Sequence, residues 1–138
     1  MKLLVLEHGT EALRAAAGGA RAVVSSRIAY VEGRAFIGRA ARERRLSARE
    51  ASRVRALLST LWTGLVIVEL DSELGTTAGD VAERLQLRGM DAIHLASALR
   101  VAETSDEPTQ FATWDVRLAA AAVGQGLETF PQAGDTPS

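Results

Sequence analysis

Apolar positions along the chain alternate between short continuous runs and stripes of helical period. "RAVVSS" is a β-branched run of strand length, and "GLVIVEL" is a second, uninterrupted one. "QFATW" and "LETF" are shorter strand-like runs near the end. Between them the pattern predicts helices over "EALRAAAGG", "SRIAYVEGRAFIGRAARERR", "LSAREASRVRALLSTLW", "DSELGTTAGDVAERLQL", "MDAIHLASALRVAE" and "DVRLAAAAVGQG". The punctuation agrees. Gly18 and Gly19 end the first helix, and Ser25 or Ser26 caps the second. Ser47 with Glu50 opens the third as a capping box. Asp71 or Ser72 caps the fourth, which is expected to run on to Gly89. Strands alternating with helices predict βαβ units and a mostly parallel sheet. A continuous apolar strand such as "GLVIVEL" predicts a sheet covered on both faces.

Composition narrows this to one compact domain. With 138 residues and 47% hydrophobic content the chain can bury a core without staples. The expected domain spans residues 1–131, with a disordered tail over 132–138. The absence of cysteine excludes disulfides and thiolate zinc sites and makes a reducing cytoplasm the expected location. No stretch approaches the roughly 20 apolar residues of a membrane span, so no membrane partner is expected. A net charge of −1 hides a segregated distribution: from Arg34 to Arg55 there are eight arginines against Glu43 and Glu50. That segment is either a solvated helical face or a surface that contacts phosphates.

The candidate chemistry lies in three acids. Open parallel sheets place their sites at the carboxyl ends of the strands. Asp115 follows "QFATW", Asp91 stands at the start of the alanine- and leucine-rich helix, and Glu32 shares a helical face with Ile28, Ala35 and Arg39. Singly, Asp91 and Asp115 read as helix caps, and Glu32 as the polar edge of a buried stripe. Together at one sheet edge they would repel one another, and a divalent cation resolves that conflict. Hard oxygen donors suit Mg²⁺ or Mn²⁺, which activate water and neutralise phosphoryl oxygens in phosphodiester cleavage. His94, inside "AIHLASA", reads as a core residue with one satisfied nitrogen rather than as a catalyst. Trp114 reads as core or interface.

"VSSRIAYVEGRAFIGRA", "LRGMDAIHLASAL" and "FATWDVRLAAAA" resemble three signatures of the PIN-domain family, and more closely of the VapC-type toxins of bacterial toxin–antitoxin pairs. The resemblance implies an α/β/α sandwich and a Mg²⁺- or Mn²⁺-dependent ribonuclease. It implies an RNA substrate, a homodimer and a small antitoxin partner. It places the metal-site acids at Glu32, Asp91 and Asp115, with the hydroxyl of Thr113 in support. The chain departs from the family at its start, which lacks a strand ending in Asp-Thr or Asp-Ser. In one reading "KLLVL" is a shortened first strand and Glu7 stands in for the missing aspartate. In the other the first strand is lost and "KLLVLEHGTEAL" matches a later region. The spacing of 16 residues from Glu7 to Val23 favours the second. A degenerate relative that binds antitoxin or itself without cutting RNA is the alternative function.

Overall fold

The computed structural model describes residues 2–3 and 23–130, except Trp114. The chain order is β1 (Lys2–Leu3), β2 (Val23–Ser26), α1 (Arg27–Arg42), α2 (Ala48–Thr63), β3 (Val66–Val68), α3 (Ser72–Leu85), α4 (Gly89–Thr104), β4 (Gln110–Ala112), α5 (Val116–Gly124) and β5 (Glu128–Phe130). The strands form one sheet in the order β3-β2-β1-β4-β5, and every described pairing is parallel. The α/β class and the parallel sheet are as the alternating pattern predicts. Glu7, the helix expected over "EALRAAAGG" and the tail lie outside the described residues.

Two expectations are corrected. The lost-first-strand reading is overturned, because β1 stands at the centre of the sheet. Lys2 pairs with Val23 on one side and with Gln110 on the other. Counting residues back from Val23 could not register a central strand of two residues. Second, "GLVIVEL" is not a strand covered on both faces. Only Val66–Val68 is strand, it lies at the sheet edge, and Val66 is 53% exposed. An apolar run reports hydrophobicity but not lateral position in a sheet.

The caps explain where the helices begin. Ser26 accepts from the Ile28 N–H at 3.2 Å, and Ser47 and Glu50 complete their reciprocal box at 3.1 Å in each direction. Asp71 accepts from the Leu74 N–H at 2.8 Å, so it, not Ser72, caps α3. That helix stops earlier than expected. Gln86 adopts a left-handed conformation (φ 54°), and the Leu87 N–H closes back on the Ala82 carbonyl at 3.0 Å. Gly89 therefore begins α4 rather than ending α3.

Helix α4 is the spine of the core. Ala92, Leu95, Ala96 and Ala98 are fully buried, and they pack with Phe111, Val24 and Leu74. Small alanine side chains let α4 approach the sheet and α3 closely. A second cluster joins α1 to α2 through Ile37, Ala51 and Leu58, with Tyr30 and Trp62 at 5.3 Å between ring centroids. These two packings hold α1 and α4 so that Glu32 and Asp91 open on the same side.

Candidate active site

Glu32, Asp91 and Asp115 line a single open cleft of about 520 Å³, with Arg88, Met90 and Ile93 on its walls. Each reaches it by a different local route. Glu32 is half-buried on the flank of α1. Its Oε1 lies 2.5 Å from Nε2 of His94, which is 3% exposed. Because a carboxylate only accepts, Nε2 carries the proton of this bond. The expectation that His94 is a buried residue with one satisfied nitrogen describes what is found: Nδ1 has no hydrogen-bond partner among the described residues. The partner of Nε2, however, is a site acid, which the sequence did not reveal.

Asp91 is not the cap of its helix. Arg88 occupies the N-cap position and makes no side-chain capping bond, while Asp91 lies within the first turn. Its carboxylate is therefore free to face the cleft. Burial raises its pKa first, and the charge of Asp115 raises it further. His94 opposes that, Glu32 adds to it, and Arg88 opposes it again. The acid is thus held in a place where negative charge is already crowded.

Asp115 does cap a helix. Its Oδ1 accepts from the Leu118 N–H at 3.0 Å, which opens α5. Its own N–H donates to the Oγ1 of Thr113 at 3.1 Å, and Thr113, 2% exposed, is anchored by its N–H to the Phe130 carbonyl at 2.9 Å. Thr113 is thus a support for the Asp115 backbone. The second carboxylate oxygen of Asp115 is left for the cleft.

The donor set fits a hard divalent cation. Three carboxylates share one cleft, and their mutual repulsion is visible in Asp91. Yet among the described residues no three Asp, Glu or His side chains close around one point tightly enough to hold an ion directly. The reason is physical: Glu32 is drawn to His94, Asp115 is spent partly on its cap, and bare carboxylates stay apart. A cation that keeps several of its waters, as Mg²⁺ does, suits such a spread set.

The arginine-rich segment is exposed and only partly paired. Arg45 meets Glu43 at 2.8 Å and lies 5.6 Å from the Phe36 ring centroid. Arg34 donates to the Tyr30 hydroxyl at 2.8 Å. Arg39 and Arg42 stand in the last turn of α1, where positive charge complements the helix dipole. Two further arginines, Arg88 and Arg117, flank the carboxylates themselves. Sequence reasoning passed over both; the available signal was a cation at the start of a helix, where the dipole disfavours it.

Comparison with known proteins places these residues in context. The model of the PIN domain matches residues 2–123. Ribonuclease VapC45 of Mycobacterium tuberculosis (strain CDC 1551 / Oshkosh) is 37% identical over 131 residues, covering 95% of this chain and 89% of its own length. Ribonuclease VapC49 of Mycobacterium tuberculosis (strain ATCC 25618 / H37Rv) shows the same identity and coverage.

Proposed function

The chain belongs to the PIN-domain family, and from that premise we propose that it is a metal-dependent ribonuclease, the toxin of a toxin–antitoxin pair. The observation that carries the proposal is the one cleft that Glu32, Asp91 and Asp115 all line, beside the carboxyl ends of the parallel strands. The names of both relatives support the substrate class. Glu32, Asp91 and Asp115 would hold a divalent cation, Mg²⁺ or Mn²⁺, which when bound would supply a nucleophilic water at neutral pH and charge neutralisation on the phosphodiester. The chain's own groups do the rest. His94 fixes the rotamer of Glu32, Thr113 fixes the backbone of Asp115, and Asp91 presents a carboxylate that no cap consumes. Arginines from Arg34 to Arg55 offer a surface to the RNA backbone. A single domain over residues 1–131, a small antitoxin, a second copy of the chain and a cytoplasmic setting belong to the same proposal; among the described residues no helix is long and apolar enough to cross a membrane.

The test is RNA cleavage by the purified chain with Mg²⁺ or Mn²⁺. Cleavage should stop with EDTA and with Asp91→Asn, which removes one charge and leaves the fold in place. The alternative, a relative that binds antitoxin or itself without cutting, is favoured by the spread of the three carboxylates. It becomes the answer if neither ion yields cleavage while the protein still associates. Cleavage that survives both EDTA and Asp91→Asn would place the chemistry elsewhere.

A further inference from the structure

A second, smaller cleft of about 190 Å³ adjoins the first and shares Arg88, Asp91 and Asp115 with it. Its other walls are Gln86, Leu87, Arg117 and Leu118. The left-handed turn at Gln86 and the capped start of α5 bring two arginines to its rim from separate helices. Arg88 is the N-cap residue of α4, and Arg117 is the second residue of α5. Both stand where a helix dipole repels positive charge. Neither forms an ion pair among the described residues, although Asp91 and Asp115 are at hand. Two exposed cations held against their helix dipoles, with no ion pair among the described residues, are placed for an anion from outside.

The charge balance says which anion. Three carboxylates and two guanidiniums line the paired clefts. Fully ionised, they carry a single negative charge, and the carboxylates alone would remain negative even with a dication among them. A phosphodiester strand would be repelled by that remainder. With the two guanidiniums counted, the cation-loaded clefts become attractive to phosphate. We propose that this second cleft is a phosphate subsite: Arg88 and Arg117 seat the RNA phosphodiester that adjoins the one being cut, and so position the strand over the carboxylates. Guanidinium forks match phosphate oxygens in geometry as well as charge. The proposal rests on the ribonuclease reading and adds a substrate contact to it.

The experiment is a cycle of cleavage rates on short single-stranded RNA, with the natural backbone or with one neutral methylphosphonate linkage placed in turn on either side of the cut. Arg117→Ala should lower kcat/KM by about ten- to a hundredfold, the size of a charge-assisted hydrogen bond, mainly through KM. Arg117→Lys should recover part of the loss. At one of the two flanking linkages the methylphosphonate should cost the native chain a similar factor and cost Arg117→Ala nothing further. Arg88→Ala should behave alike. With the cation kept in the buffer and a strand whose scissile linkage cannot be cut, binding should lose salt dependence by a slope of roughly 0.7 for each arginine removed. Wild-type rates in both arginine variants, or losses that multiply with the neutral linkage at both positions, overturn the subsite and leave the ribonuclease reading standing. No cleavage by the native chain with either ion, together with strand binding indifferent to both arginines, overturns the two together. Variants that cut RNA normally but fail to bind a protein partner would assign the arginines to that partner and overturn the subsite.

Discussion

Replacing Glu32 separates two roles that the structure gives to one carboxylate. His94 is almost fully enclosed, and the only hydrogen bond its ring makes among the described residues is that of Nε2 to Glu32 at 2.5 Å. Glu32→Ala orphans that buried N–H, which costs about 1–3 kcal/mol. Part is returned, because Glu32 is one of the charges that raise the Asp91 pKa, although a lesser one than Asp115. A net loss of about 1–2 kcal/mol remains. Unfolding entropy of about 2.1 cal/mol/K per residue amounts to about 0.29 kcal/mol/K over the chain, so Tm should fall by about 3 to 7 °C. Glu32→Gln keeps an acceptor for Nε2 and removes the charge. It should melt within about 2 °C of the native chain. Both variants should lose RNA cleavage. The assay is thermal unfolding by circular dichroism at pH 7 in EDTA, so that metal binding does not contribute. If Glu32→Ala melts with the native chain, or Glu32→Gln melts as low as Glu32→Ala, the hydrogen bond does not support the fold as argued.

Two further outcomes follow from the aspartates. The Asp91 pKa is raised, so the folded chain holds a proton that the unfolded chain has released. In EDTA its contribution to stability therefore declines as pH rises from the ordinary aspartate range toward the raised value. Asp91→Asn should flatten that decline and melt higher than the native chain at neutral pH while cutting no RNA; an Asp91→Asn chain that melts lower would refute the crowding. Asp71 behaves oppositely: Arg100, at 3.0 Å to each of its oxygens, and the Leu74 N–H depress its pKa to about 2. Its contribution should be intact above the ordinary aspartate value and be lost as pH falls toward about 2, so Asp71→Asn should narrow the acid-side loss seen in pH-dependent melts.

What was legible in the sequence was what a local pattern encodes. Helical period, β-branched runs and the Ser47–Glu50 box gave the elements and their starts. Asp91 and Asp115 were legible because each stands near a strand end or helix start, and Glu32 because it shares a helical face with Ile28; the sheet topology does bring the three to one cleft. Less local features escaped. The stop of α3 depends on a left-handed Gln86, a conformation that glycine usually signals. The edge position of β3 and the central position of β1 are properties of pairing, which apolar runs do not record. The partnership of His94 with Glu32 joins residues 62 apart in sequence. Arg88 and Arg117 looked like ordinary charges until two helix starts were seen to face the same cleft.

The three aspartates show how placement decides what a single side chain contributes. Asp71 caps α3 and is paired with Arg100, so its charge is fully compensated and it serves the fold. Asp115 divides its oxygens: one caps α5, and the other is left to the cleft. Asp91 has neither cap nor salt bridge among the described residues, and burial and its acidic neighbours disfavour its charge. A sequence selected for stability alone would remove that acid, since asparagine fills the same space without the repulsion. The proposed cation site gives that acid a use that the fold does not. The same reasoning applies in mirror image to Arg88 and Arg117, two cations set against helix dipoles beside it. Unfavourable charges of both signs at one sheet edge fit a site that binds a cation and a polyanion together, which phosphodiester cleavage assisted by a metal requires.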